Sequence, residues 1–268
     1  MHGILRNLRS GAIVLDLGSG GKGSVDSESY PGVRMIRLDN EFPKFAIGDG
    51  FVQGDGARLP FGDGVFDAVI ANHSLEHIDD LGGALKEIGR VVRPGGSLYV
   101  AVPDASTLTD RIYRWIFHGG GHVNGFRSAV ELEVRIAGAT GMKPVARRVL
   151  HTSLIFLGRH HFEARPPRKL WLFANGDLRF IACLTYMLRL VDRWFGTRSS
   201  VYGWAFYFGE IREEIATEAW TNVCVKCGTG QSSACLTANG EVGRAFLSIR
   251  DYHCSVCGAW NLFTEDPQ

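Results

Sequence analysis

The strongest constraint on this 268-residue chain is a six-residue apolar run, AIVLDL (12–17), that leads directly into Gly18-Ser19-Gly20-Gly21-Lys22-Gly23. A continuous apolar run of that length reads as a strand buried on both faces, the setting of a parallel sheet. Glycines there let the backbone turn sharply and approach a ligand closely. Gly18, Gly20 and Gly23 satisfy G-x-G-x-x-G, the pattern of a dinucleotide-binding loop, but in a chain with 34 glycines such a match also arises by chance. The surroundings carry more weight. A second strand, VRMIRL (33–38), ends at Asp39, about where a carboxylate would grip ribose hydroxyls. GDGARLPF (54–61) and a third strand, FDAVIAN (66–72), lead to His73-Ser74-Leu75-Glu76-His77-Ile78. A helix near 80–92, Arg93-Pro94-Gly95-Gly96 and the strand SLYVAVP (97–103) follow. This alternation predicts an α/β fold with a doubly wound parallel sheet.

In order and spacing, VLDLGSG (14–20), Asp39, GDGARLPF (54–61), FDAVIANHSLEHI (66–78) and VVRPGGSLYVAVP (91–103) resemble the class I S-adenosylmethionine-dependent methyltransferases. The likeness is strongest to the small-molecule group called methyltransferase type 11, and it covers about residues 12–142. It implies a Rossmann-like sheet whose last strand is antiparallel, and S-adenosylmethionine as cofactor. By this resemblance Asp16 and the Gly18-Ser19-Gly20 turn meet the methionine portion. Asp39, beside Asn40, accepts from the ribose hydroxyls. Asp55 accepts from the adenine amino group, with Gly56, Ala57 and Leu59 near the ring, and the backbone of Asn72 and His73 meets the amino-acid part. Read without the resemblance, Asp39 and Asp55 could instead cap a helix or hold a turn, and Asp16 could serve backbone groups at the strand end. A nicotinamide-dependent dehydrogenase is the rival for the glycine loop.

The sequence also departs from the family. Lys22 stands where the family usually has glycine, and GKGSVDSESYPGV (21–33) is too short and polar for the usual first helix. Pro43 would interrupt a helix in the second crossover.

Methyl transfer from a sulfonium is an in-line displacement, helped mainly by alignment and desolvation. A base is needed only if the acceptor must lose a proton. His73, Glu76, His77 and His122 stand near the expected site, with His73 and His77 the preferred catalytic candidates. The family commonly carries a histidine at the position of His77 and a His-Val-Asn-like turn near residue 122, which implies site architecture.

A helix near 127–139 and a strand near 143–150 continue the pattern. The last strand could be SLIFLG (153–158) or VYGWAFYFGEI (201–211), and the second fits the family better. Residues 151–200 are then a helical insertion before the last strand, within a methyltransferase domain spanning 1–212. The near-neutral total charge of +1 hides a charge of +8 over residues 143–198. Apolar residues at 180, 181, 184, 187, 188, 191, 194 and 195 trace a helical face, with Arg179, Arg189, Asp192 and Arg193 near its edges. With the aromatic-rich stretch from Leu170 onward, this basic-apolar segment reads as a structural cap, a substrate lid, or an interfacial helix drawn to anionic lipid or phosphate-bearing glycan.

Residues 213–268 hold two cysteine pairs, Cys224-Val-Lys-Cys227 and Cys254-Ser-Val-Cys257, each followed by glycine. Two such knuckles supply four thiolates to one tetrahedral ion, and the segment resembles a zinc ribbon. Four cysteines leave no open position, so the zinc would be structural; two disulfides or an iron–sulfur cluster are the chemical alternatives. Cys183 and Cys235 read as small buried hydrophobes.

The combined expectation is an enzyme that moves a methyl group from S-adenosylmethionine to O, N or C of a small-molecule, sugar or lipid-linked acceptor. The ribbon could dock a protein partner. A ribosomal or transfer RNA methyltransferase guided by the ribbon is one alternative, although residues 220–268 hold only Lys226, Arg244 and Arg250 against four acids and make a poor phosphate grip. A non-catalytic binding or assembly protein is the other. The opening segment lacks signal-peptide shape and the longest apolar run, FIACLTYML (180–188), is nine residues, too short for a bilayer. A cytoplasmic location is expected, with peripheral contact to the inner face of an anionic membrane as an option.

Overall fold

The computed structural model describes residues 2–6, 8–20, 23–42, 50–117, 121–159, 176–211 and 220–265. Strands β1 (Ala12–Leu17), β2 (Val33–Asp39), β3 (Phe51–Gln53), β4 (Phe66–Asn72), β5 (Val92–Pro103), β6 (Pro144–His151) and β7 (Val201–Gly209) form one sheet in the order β3-β2-β1-β4-β5-β7-β6. Neighbouring strands from β3 through β5 are parallel. At the end of β7 the Gly209 N–H bonds to the Lys143 carbonyl and the Glu210 N–H to the Gly96 carbonyl, at 2.9 and 3.2 Å. The end of β7 thus meets the beginnings of β5 and β6, and it runs antiparallel to both, as the Rossmann-like reading requires. VYGWAFYFG supplies this strand, whereas Ile155–Leu157 is a single 3-10 turn.

The apolar runs explain the layering. β1 is buried at five of its six positions and β4 at all but its last, Asn72, as expected of strands covered on both faces. Helix α1 (His2–Leu5) precedes them. Helix α2 (Leu81–Val91) starts at Asp80, whose carboxylate accepts from the Gly83 N–H at 2.8 Å. It buries Leu81, Ala84, Leu85, Ile88 and Val91, spaced three or four apart. Among its described residues the first crossover holds only a 3-10 turn, Ser27–Ser29, in keeping with its short polar sequence. Lys22 and Pro43, and the aromatic stretch 170–175, lie outside the described residues. Among the described residues no helix is long and apolar enough to cross a membrane.

Two compact units emerge. One comprises residues 1–103, 122–148 and 204–217, and includes most of the sheet, α2, and a later helix, Ala129–Thr140. The other comprises 104–121, 149–203 and 218–268. With α3 (Leu108–Ile116), α4 (Ala129–Thr140) and α5 (Leu178–Phe195) as labels in chain order, the second unit packs α3 and α5 around Ile116, Leu154, Phe156, Leu157, Ile181, Ala182 and Val225. Val225 lies between the first two cysteines, and Trp260 packs on the same cluster, so the helical insertion and the cysteine-bearing segment share a core.

Helix α5 forms where the apolar periodicity placed it, but its inward face differs. Ile181, Ala182, Thr185 and Arg189 are buried, while Phe180, Met187, Trp194 and Phe195 are exposed. Arg189, expected at a solvated edge, falls one turn after Thr185 and so points inward. Its Nη2 donates to the carbonyls of Thr152 and Val223 at 3.5 and 3.3 Å, and burial lowers its pKa to about 10. Cys183 and Cys235, expected to be buried, are both exposed. Cys183 faces away from the Ile181–Thr185 side of α5, and in α6 (Ser233–Ala238) only Leu236 is buried.

In the first unit, the end of β1 is fixed by close approach. Gly18 has φ +68°, and a Cβ added there would lie 2.3 Å from the Cβ of Ser74. Gly18→Ala is therefore expected to cost about 2–4 kcal/mol, from left-handed strain plus overpacking. Denaturant unfolding checks this; unchanged stability would show that the loop and Ser74 are not held together. A further Ser74→Gly change should recover the packing part alone.

Candidate functional site

The carboxyl ends of β1, β2 and β4 converge where the sheet order reverses around β1, the position at which open α/β sheets bind ligands. The N–H groups of Gly18 and Ser19 both donate to the Leu38 carbonyl, at 2.8 and 3.2 Å, tying the glycine turn to the end of β2. Asp39 follows and caps the turn, its Oδ2 accepting from the Gly20 N–H at 2.8 Å and its Oδ1 from the Glu41 N–H at 3.2 Å. A carboxylate has about four acceptor sites, so Asp39 keeps capacity for further donors such as a diol. The exposed Asn40 carbonyl accepts from Gln53 Nε2 at 3.0 Å.

Asp16 is fully buried. One carboxylate oxygen accepts from the Ser24 N–H at 2.7 Å, and the other, Oδ1, has no hydrogen-bond partner among the described residues. Burial raises its pKa, opposed by the Ser24 bonds and the charge of Arg37. The Ser19 hydroxyl is likewise buried without a partner. An orphaned carboxylate oxygen beside a tight glycine turn suits a ligand whose end carries charge and N–H donors, which is the character of an amino acid's ammonium group. S-adenosylmethionine has both that end and a ribose diol, so the residues present fit it.

Asp55 holds a local turn: it accepts from the Ala57 N–H at 2.9 Å and from Arg58 Nε at 3.1 Å, and the Ala57 bond in particular holds its carboxyl below the ordinary range. Gly56 is buried against Ile78 and Leu17. At the end of β4, the His73 N–H donates to the Ala101 carbonyl at 2.9 Å. His73 itself has φ +55°, a strained conformation for a residue with a Cβ, and its ring Nδ1 lies 3.6 Å from Glu76 Oε1. Glu76 is buried, and its carbonyl accepts from the N–H groups of Val123 and Asn124, at 2.9 and 3.0 Å. Asn124 Nδ2 donates to the carbonyls of Leu75 and Ile78, at 3.0 and 2.7 Å. The rings of His77 and His122 stand edge to face, 4.9 Å between centroids. Four of the candidate acid–base groups therefore gather beyond β4. Ser74, which sets the spacing to Gly18, and Ser24, which holds Asp16, carry no signal in the sequence, because neither lies at a spacing that has meaning without the fold.

The second unit contains the cysteine centre. Cys224 and Cys227 lie between β8 (Asn222–Val223) and β9 (Gly230–Gln231). Cys254 and Cys257 lie between β11 (Ile249–His253) and β12 (Trp260–Leu262), which pair antiparallel, with β10 (Val242–Phe246) beside β11. The four sulfurs lie within 4.8 Å of one another, with Cys224–Cys257 and Cys227–Cys254 each 3.6 Å apart and no disulfide formed. The knuckles match: the N–H groups of Gly228 and Gly258, at φ +74° and +69°, bond back to the carbonyls of Cys224 and Cys254. The Lys226 N–H and Asn261 Nδ2 reach the Cys224 sulfur at 3.4 and 3.6 Å. Four convergent sulfurs with N–H donors around them fit a structural zinc ion. Cys254→Ser should remove about one bound zinc ion per chain relative to wild type and loosen residues 220–265; metal analysis and amide exchange read the two effects, and an undiminished metal content would contradict a four-cysteine site.

Residues 15–100 match the family described as a methyltransferase domain, Methyltransf_11. Demethylmenaquinone methyltransferase from Mycolicibacterium vanbaalenii is 36% identical over 108 residues, which is 39% of this chain and 46% of the relative. The chain thus spans less than half the length of this curated relative. Among solved structures, an S-adenosylmethionine-dependent methyltransferase from Archaeoglobus fulgidus superposes with a TM-score of 0.52 at 17% identity, covering 78% of this chain and 89% of the other. A chain of the complex between the Haloferax volcanii Trm112 methyltransferase activator and a methyltransferase gives 0.50 at 20% identity, covering 76% and 86%. At these identities the likeness is one of fold. The residues at the carboxyl ends of β1, β2 and β4 that build the site lie inside the segment 15–100, which is similar to a methyltransferase domain.

Proposed function

We propose that the chain transfers a methyl group from S-adenosylmethionine to a small-molecule acceptor, in the cytoplasm. The observation that carries the reading is the buried Asp16 oxygen beside the Gly18 turn, without a hydrogen-bond partner among the described residues, with Asp39 at the adjacent strand end. When bound, S-adenosylmethionine supplies a sulfonium-activated methyl group. Asp16 and the buried Ser19 hydroxyl would meet its amino-acid end, and Asp39 would accept from the ribose hydroxyls while keeping the Gly20 N–H capped. The backbone of Asn72 and His73 would close the amino-acid side, and the turn Asp55–Ala57 would border the base, with Gly56 held against Ile78 below it. His73, steadied by the buried Glu76, is positioned to accept a proton if the acceptor must lose one; His77 is the alternative.

For the acceptor, we favour a small molecule that is sugar- or lipid-linked. The curated relatives are named for a quinone acceptor, and Phe180, Met187 and Trp194 are exposed on one helix of the basic segment, which suits an apolar chain near anionic groups. The cysteine centre would be a zinc-stabilised module. An RNA acceptor gains little support from it: Arg250 pairs with Glu265 and stacks over Phe263, 4.5 Å from the ring centroid, so it is poorly placed for phosphate.

Purified protein incubated with methyl-labelled S-adenosylmethionine and fractionated cell extract should place label in the small-molecule or lipid fraction. Label in RNA would overturn the acceptor reading, and absence of S-adenosylmethionine binding by calorimetry would overturn the activity. Asp39→Ala should weaken cofactor binding about 10- to 100-fold, ~1.5–3 kcal/mol for charged hydrogen bonds lost. Unchanged affinity would refute the ribose role of Asp39.

A further inference from the structure

We infer that Glu76, His77 and His122 form a binding site for a divalent transition-metal ion, separate from the four-cysteine centre. One carboxylate oxygen of Glu76 and one ring nitrogen of each histidine lie within 4.8 Å of one another. Ligands around a single ion at about 2.0–2.2 Å stand roughly 3–3.5 Å apart, so closing the site takes small rotations of side chains. His77 is exposed and His122 half-buried, so both rings have room for that adjustment.

Glu76 is a buried acid with an unmet acceptor among the described residues. Its side chain is only 1% exposed, yet Oε2 has no hydrogen-bond partner among the described residues. A buried carboxylate oxygen with nothing to bind is costly, and in native proteins such a group ordinarily has a proton donor, a cation or a metal beside it. Oε1 faces His73 at 3.6 Å, which leaves Oε2 for the ion. The two segments that bring the ligands together are joined before any ion binds. The Val123 and Asn124 N–H groups hold the Glu76 carbonyl, and the Asn124 side chain spans the carbonyls on either side of the Glu76–His77 pair. His122 is thereby fixed beside residues 46 and 45 positions earlier in the chain, a preorganised geometry that a loose surface pair lacks.

Two imidazoles and one carboxylate suit zinc, cobalt, nickel or ferrous iron better than magnesium or calcium, which prefer all-oxygen shells. Three protein ligands also leave coordination positions open. On the methyl-transfer reading, an open position would be filled by an oxygen of the acceptor, favouring hydroxyl- or carbonyl-bearing acceptors. The metal site itself does not depend on that activity.

The test uses the full chain with its cysteine centre zinc-loaded, dialysed against Zn²⁺ or Co²⁺ and assayed for metal by mass spectrometry. Wild-type protein should hold two equivalents. With Co²⁺ at the second site, the spectrum should lack thiolate-to-metal charge transfer. His122→Ala and the double variant His77→Ala/His122→Ala should weaken the second equivalent at least ~10-fold while retaining the first, whose full zinc content reports an intact cysteine centre. Cys254→Ser should do the reverse. A wild-type chain that binds only the equivalent removed by Cys254→Ser would overturn the proposal, as would a second equivalent undiminished in the double histidine variant. Failure of methyl transfer with two equivalents bound would instead count against the proposed activity.

Discussion

The approach of the Gly18 backbone to Ser74 is the contact on which the candidate cofactor site depends. It is possible because position 18 has no Cβ and tolerates φ +68°, and it brings the ends of β1 and β4 within van der Waals reach. The Leu38 carbonyl, taking both the Gly18 and Ser19 N–H groups, brings in the end of β2. Three strand ends are thus locked together, and Asp16, Asp39 and His73 acquire fixed places because each lies at or next to one of them. The strained φ of His73 belongs to the same junction, since the chain must leave β4 sharply at Asn72 to present Ser74 toward the glycine turn.

The second unit rests on a different economy of forces. Its core joins α3, α5 and the cysteine knuckles through apolar contacts, but it also encloses Arg189, which among the described residues has carbonyl partners and no carboxylate. Burying a guanidinium without an acid is tolerated only where several dipoles point at it, and desolvation accordingly lowers its pKa. The carbonyls of Thr152 and Val223 supply such dipoles, so Arg189 links the start of the insertion, its long helix and the strand that leads to Cys224.

Much of the first unit was legible because its signals are local or periodic. A six-residue apolar run, a glycine turn and a capped amphipathic helix each follow from short-range sterics and burial. The cysteine knuckles were legible for a similar reason: Cys-x-x-Cys followed by glycine encodes a complete turn within five residues, and two such turns differ only in needing to meet. The acidic residues around the glycine loop could be located but their uses could not be separated. Asp39 proves to cap Gly20 and Asp55 to hold its own turn, roles fully compatible with further acceptor duty.

Amino-acid order by itself determined the α/β class, the position of α5 and the grouping of four thiols, because each is written as periodicity or as close spacing, while the antiparallel closing strand followed only from the family resemblance. Only the tertiary structure decided which face of α5 turns inward, leaving Phe180, Cys183, Met187 and Trp194 outside and Arg189 within. It alone made Glu76 a buried carboxylate among histidines, since His122 reaches it through hydrogen bonds from Val123 and Asn124 across more than forty residues. The physical reason is common to both. Periodicity reveals that a helix has two faces, but which one is buried, and what is buried with it, depends on surfaces contributed by distant parts of the chain.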